Sequence, residues 1–138
     1  MKFMLLLKSD EATESAAMPS DDELNAMGAY NDELIRDGVM VAGEGLHPSA
    51  SGARIDFSGD ASTVTDGPFT GSNDLIAGFW ILQLDSLADA IERARRAPLK
   101  TGQIEVRQIF DISEFDPNNE YVQKEAAWRE ETGQSRTA

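Results

Sequence analysis

The run Lys2 to Lys8 (KFMLLLK) and the run Gly78 to Leu84 (GFWILQL) are apolar at successive positions instead of at alternate ones. Side chains of a strand alternate between its faces, so segments of this kind are greasy on both. Lys2 to Lys8 is too short for a buried helix and reads as a central strand covered above and below. A chain built on such strands must find cover for both sides of its sheet, and that demand constrains the fold more than any other feature.

Cover for one side is legible as two helices. Ser20 opens the first: its hydroxyl can accept the amide three residues on, Glu23 can reach back, and Asp21 and Asp22 lie in the first turn, where the helix dipole favours negative charge. Leu24, Met27, Leu34 and Ile35 follow helical spacing and are expected to form the buried stripe, with Asn31 as a polar residue on it. Gly38 supplies the left-handed stop. Ser86 caps the second helix, whose expected apolar face is Leu87, Ile91 and Ala94; Arg93, Arg95 and Arg96 sit near its C-terminal end, and Pro98 ends it.

The remaining strands are Val39–Leu46, with glycines at 43 and 45 that signal a bulge or a close backbone approach, a hairpin, and Gln103–Phe110. The hairpin runs through Ala53–Phe57 and Ser62–Thr65 around the turn Ser58-Gly59-Asp60. In the last strand Ile104, Val106 and Phe110 alternate with Glu105 and Arg107. Ser9 to Pro19 is acidic and aperiodic, a loop. A terminal helix over 119–131 and a disordered tail follow, so the domain is read as 1–117 with a C-terminal helix and flexible tail over 118–138. The order is β, α, β, hairpin, β, α, β. Without the hairpin this is the split βαβ pattern of a ferredoxin-like α+β sheet with both helices on one face. Its second face is expected to be covered by a second copy of the chain, giving a homodimer.

The formal net charge of −13 repels phosphate backbones and anionic lipid, so neither nucleic acid nor membrane is an expected partner. No run approaches the length of a membrane span and no signal peptide is read at the N-terminus, so the expected location is cytoplasmic. The chain has no cysteine, which removes disulfides, thiolate ligands and a thiol nucleophile, and its one histidine has no partner at metal-ligand spacing. No bound metal or cofactor is expected. A Walker phosphate loop, GxGxxG after a strand and a GxSxG elbow are all missing, which argues against nucleotide chemistry and serine hydrolysis.

Four segments together resemble a known family. MKFMLLLK, VAGEGLHP (Val41 to Pro48), VTDGPF (Val64 to Phe69) followed by GFWILQLDSLADAIERA, and GQIEVRQI (Gly102 to Ile109) are similar to the YCII-related group, in the branch marked by its DGPF motif. The resemblance covers roughly residues 1–110 and implies the dimeric α+β barrel fold. It also implies a His/Asp pair working in a pocket between sheet and helices, and relatives that include isomerases, dehalogenating lyases and monooxygenases of small, often aromatic molecules.

The residues themselves offer several candidates. His47, with an ordinary imidazole able to exchange a proton near neutrality, follows a strand and precedes Pro48; it is either an acid–base group or a solvated loop histidine. Asp66 begins the DGPF turn, where an aspartate also serves simply to bond its own downstream amides. Paired as the resemblance implies, His47 and Asp66 are the candidate catalytic residues. Glu44, between two glycines on a strand taken as central, is a general base if it points inward and a surface charge if outward. Tyr30, Asn31 and Arg107 are polar side chains placed to face a cleft between helix and sheet; Arg107 could clamp a carboxylate or pair with Glu105. Phe69, Phe79 and Trp80 could wall an aromatic pocket or be core. Two functions follow: a cofactor-free isomerase or lyase acting on a small molecule, aromatic or not, and a non-catalytic ligand-binding or regulatory dimer module. A purely structural protein would have no pocket.

Overall fold

The computed structural model describes residues 1–14, 18–71 and 74–134. In chain order the elements are β1 (Lys2–Lys8), α1 (Glu11–Glu14), α2 (Asp21–Arg36), β2 (Met40–Gly45), β3 (Ala53–Ser58), β4 (Ala61–Asp66), β5 (Ile76–Gln83), α3 (Leu87–Arg95), β6 (Ile104–Gln108) and α4 (Glu120–Glu131). Four strands make an antiparallel sheet in the order β2-β5-β1-β6, and β3 and β4 pair separately as a hairpin. This is the ferredoxin-like α+β arrangement, with the hairpin inserted between its second and third sheet strands.

The register explains the core. Leu5 sits opposite Trp80 on one side and Val106 on the other, and Phe3 opposite Leu82, so these side chains share a face. Tyr30 and Leu34 of α2 and Ala90 of α3 pack on that face, and Phe3, Leu5, Leu82 and Ala90 are fully buried. The other face carries Met4, Leu6, Phe79 and Ile81, cross-paired in register and all half-buried. It is flanked by the Arg107–Glu105 ion pair, 3.2 Å, which runs along β6.

Local signals place the helices as read. The Ser20 hydroxyl accepts the Glu23 amide at 3.2 Å, and Gly38 follows α2 with φ of 71°. The Ser86 hydroxyl accepts the Asp89 amide at 3.1 Å at the start of α3. Arg93 lies in the last turn of α3 and bonds Asp37, the residue that caps the end of α2, at 2.6 Å, while its carbonyl accepts the Tyr30 hydroxyl at 2.8 Å. Those two bonds tie the helices together at one end.

Several expectations need correction. The buried stripe of α2 is Met27, Tyr30 and Leu34, whereas Leu24 and Ile35 are 54% and 60% exposed. Ile35 lies one residue, about 100° of helix, round from the fully buried Leu34, and Leu24 lies a turn beyond the packed stretch. In α3 the contact centre is Ala90, whose small side chain lets the helix sit close to the sheet; Leu87 and Ile91 straddle that line and stay 49% and 44% exposed. The segment taken as a loop after β1 contains the helical turn α1, because Asp10 accepts the Thr13 amide at 2.7 Å and caps it. Bonding to that amide holds the Asp10 carboxyl below its ordinary range. Strand β2 is an edge, not central, and its bulge falls at Val41 and not at a glycine. Phe110 lies past the end of β6 and is 71% exposed. The tail expected from Glu131 onward is helix and turn as far as Gln134, whose carbonyl accepts a bond from Lys2 Nζ; residues 135–138 lie outside the described residues. Among the described residues no helix is long and apolar enough to cross a membrane.

Candidate functional site

A cleft of about 160 Å³ opens at the β2 edge of the sheet, beneath α2. Three of its lining residues are glycines, Gly43 and Gly45 on β2 and Gly78 on β5, and the missing side chains make the space. Gly78 must be bare because a Cβ there would stand 2.7 Å from the Glu44 carbonyl oxygen. At Gly43 a Cβ would meet Met40 Cε at 2.5 Å and Trp80 Cδ1 at 3.0 Å, so side chains and not backbone crowd this glycine. A Cβ on Gly45 meets nothing within 4 Å, so this position faces open space.

Trp80, Leu7 and Met27 give the cleft apolar walls, Asn31 of α2 gives it a polar one, and Phe79 borders it from a strand position whose side chain points to the opposite face. The Trp80 indole N–H donates to Asn31 Oδ1 at 2.9 Å. Behind it the Tyr30 ring stands edge-on to the indole at 83°, with centroids 5.6 Å apart. Tyr30 is 6% exposed and its hydroxyl is taken by the Arg93 carbonyl, so burial raises its pKa above the ordinary value of 10.0. It supports Trp80 and does not line the cleft.

Glu44 borders the cleft, but it is exposed and pairs in register with Phe79, on the side opposite Gly43 and Gly45. Strand alternation therefore directs its side chain away from α2. Arg107 is on the sheet face turned away from the helices, next to Glu105. Of the expected site residues, the cleft brings together Asn31, Glu44 and Trp80 and leaves out Tyr30, Phe69, Arg107, His47 and Asp66.

Of the two acid–base candidates, His47 lies two residues past the end of β2 at the cleft's Gly45, and Asp66 ends β4. His47 follows Leu46, whose amide donates to the Ala77 carbonyl at 2.8 Å. Both are exposed, and among the described residues neither side chain makes a hydrogen bond or ion pair. Their backbones, however, are fastened to each other through the short 3-10 turn Ser49–Ser51. The Gly67 amide donates to the Gly52 carbonyl at 2.9 Å, and the Phe69 amide donates to Ser49 Oγ at 3.2 Å. Phe69 itself is half-buried, with the Arg54 guanidinium 4.0 Å above its ring.

A residue that the sequence reading passed over completes this junction. Glu14 of α1 accepts the Ser49 amide at 2.9 Å with Oε1 and the Ser49 hydroxyl at 2.6 Å with Oε2. Its neighbour Glu11 accepts the amide of Gly71. Nothing local marks either glutamate, since their partners lie far along the chain. Among the described residues no group of three or more His, Cys, Asp or Glu is placed to hold a metal ion.

The family model for the YCII-related domain matches residues 1–113. The chain is similar to an uncharacterised protein of Rhizobium meliloti (strain 1021), 28% identical over 114 residues, which is 79% of this chain and 92% of that one. Among solved structures it is similar to the 5-chloro-2-hydroxyhydroquinone dehydrochlorinase of Burkholderia phenoliruptrix AC1100, in complex with 2,5-dihydroxybenzoquinone, at a TM-score of 0.44 and 16% identity. That match covers 84% of this chain and all of the other.

Proposed function

The chain belongs to the YCII-related domain family, and on that premise we propose that the cleft beneath α2 holds a small, flat molecule which His47 and Asp66 deprotonate and reprotonate as a cofactor-free isomerase or lyase. The observation that carries this reading is the convergence at one end of the sheet of β2, which ends in the glycine-lined floor and runs into His47, and of the turn after Asp66, bonded to the same Ser49–Ser51 segment. The walls suit an apolar ring, and the Asn31 amide supplies a hydrogen bond to orient it. In the proposed step His47 takes a carbon-bound or hydroxyl proton, Asp66 holds the other ring nitrogen, and the proton returns to a neighbouring atom in isomerisation or leaves with a departing group in elimination.

The test needs no known substrate at the outset. His47 is the single histidine, so its ring nitrogens give one resolved set of NMR signals. The two side chains are unbonded in this structure, so pairing is expected once a hydroxylated aromatic occupies the cleft: it then fixes one tautomer, which Asp66→Ala releases to a mixture. A panel of enolisable ketones and hydroxylated aromatics in deuterated water then reports exchange that depends on His47. A tautomer mixture that persists in the parent chain with the panel present, together with no exchange across it, sinks the catalytic reading.

A second reading is favoured by the exposure of both side chains and their lack of mutual bonds: a ligand-binding module without chemistry. It expects a bound ligand whose affinity is unchanged in His47→Ala.

The half-exposed apolar face formed by Met4, Leu6, Phe79 and Ile81 supports a second copy of the chain as the protein's partner. Sedimentation at micromolar concentration tests it: a dimer is expected in the parent chain and a monomer in Leu6→Lys.

A further inference from the structure

We propose that Glu14 is a positioning residue: by gripping Ser49 it docks the loop that carries His47 onto the turn that carries Asp66. This inference rests on the proposed acid–base pair and adds the part that assembles it.

The contacts form a directed chain. An ionised carboxylate only accepts, so the Ser49 hydroxyl must spend its proton on Glu14 Oε2, leaving its lone pairs for the Phe69 amide. Each bond polarises the next, and the charged terminus strengthens both. The second carboxylate oxygen takes the Ser49 amide, so Glu14 fixes the backbone as well as the side chain of that residue. Ser49 stands two residues after His47, and Phe69 three after Asp66. Without the hydroxyl link, the two segments would be joined chiefly by the Gly67 amide on the Gly52 carbonyl.

The packing is close enough for this to be specific. A Cβ built on Gly67 would lie 1.7 Å from the Ser49 carbonyl oxygen, so the DGPF turn presses directly on the segment that Glu14 holds. Glu14 is half-buried in this contact, whereas the three residues before it are exposed. It touches neither candidate acid–base group, and its action on them is indirect.

The experiment compares the parent chain with Glu14→Ala, Ser49→Ala and Asp66→Ala by NMR of the His47 imidazole and of the backbone amides. With the hydroxylated aromatics of the same panel present at saturation, the parent is expected to show one tautomer. Glu14→Ala and Ser49→Ala are both expected to give the same mixture as Asp66→Ala, with the amide signals of the four-stranded sheet in place. Exchange of the Phe69 amide should quicken about tenfold in Ser49→Ala, as one hydrogen bond's protection is lost. A tautomer that stays fixed in both variants overturns the role of Glu14 and leaves the pair standing. A parent chain with mixed tautomers, indifferent to Asp66→Ala, overturns the pair and this role with it. Should Glu14→Ala lose the sheet signals, Ser49→Ala decides, because it leaves α1 and the backbone bond to Glu14 intact.

Discussion

The Trp80 indole N–H and Asn31 Oδ1, 2.9 Å apart, settle how the cleft presents its one amide. Indole nitrogen is a donor and nothing else, so it must meet the oxygen of Asn31 and not the nitrogen. The amide's NH2 is left as the group free to donate to whatever enters. A polar residue on an otherwise apolar helix stripe thus has two jobs, satisfying a core tryptophan and marking a binding wall.

Separating those jobs is a matter of two substitutions. Asn31→Ala leaves a nearly buried indole N–H without a partner and is expected to destabilise the fold by about 1–3 kcal/mol in urea titration. Asn31→Asp keeps the acceptor and removes the donor. It should retain most of the stability while weakening retention of hydroxylated aromatics by roughly tenfold, the worth of one good hydrogen bond in a binding site.

Gly45 offers a way to fill the cleft without disturbing its walls, because a side chain there meets no protein atom within 4 Å at its Cβ. Gly45→Val is expected to leave the melting temperature unchanged or higher, since a β-branched residue suits a strand better than glycine. Ligand-observed NMR with the same aromatic panel should show binding abolished. Binding that survives would place the ligand elsewhere.

Gly67 is the opposite case. The 1.7 Å approach of a built Cβ to the Ser49 carbonyl oxygen involves backbone on both sides, and neither can rotate away as a flexible side chain would. Gly67→Ala should cost about 1–3 kcal/mol, as overpacking does, and should show in the amide spectrum as displacement of both segments. A neutral result would mean that the junction is soft.

Stability on the alkaline side should carry the mark of Tyr30. Burial raises its pKa, so the folded protein keeps the phenol proton at a pH where the unfolded chain has released it. Its contribution is complete below pH 10.0, the ordinary value, and is lost as pH rises through the higher folded value. Denaturant midpoints measured from pH 9 to pH 11 are therefore expected to fall more steeply in the parent chain than in Tyr30→Phe. Equal slopes would refute the assignment.

Much of this architecture follows from neighbours in the sequence. The capping serines at 20 and 86, the glycine stop at 38, the Gly59 turn and the alternation in β6 are short-range effects, governed by backbone geometry and by side chains a few residues apart. The doubly apolar β1 and β5 announced a layered sheet, and β1 does lie at its centre. Periodicity was less able to choose the buried edge of each helix. In α3 the deciding residue was Ala90, which a search for large apolar side chains overlooks, and in α2 it was the packing of Tyr30 and Leu34 that left Leu24 and Ile35 outside.

What the sequence determined, then, was the set of elements, their order and the two-sided character of the sheet, because those depend on local sterics and on where apolar surface must go. The cleft and its flank were decided only by tertiary structure. Gly43 and Gly45 meet Gly78 from another strand, Asn31 reaches Trp80 across 49 residues, and Glu14 reaches Ser49 across 35. No periodicity records which distant segments will face each other, since that is fixed by strand pairing and helix packing once the whole chain has closed.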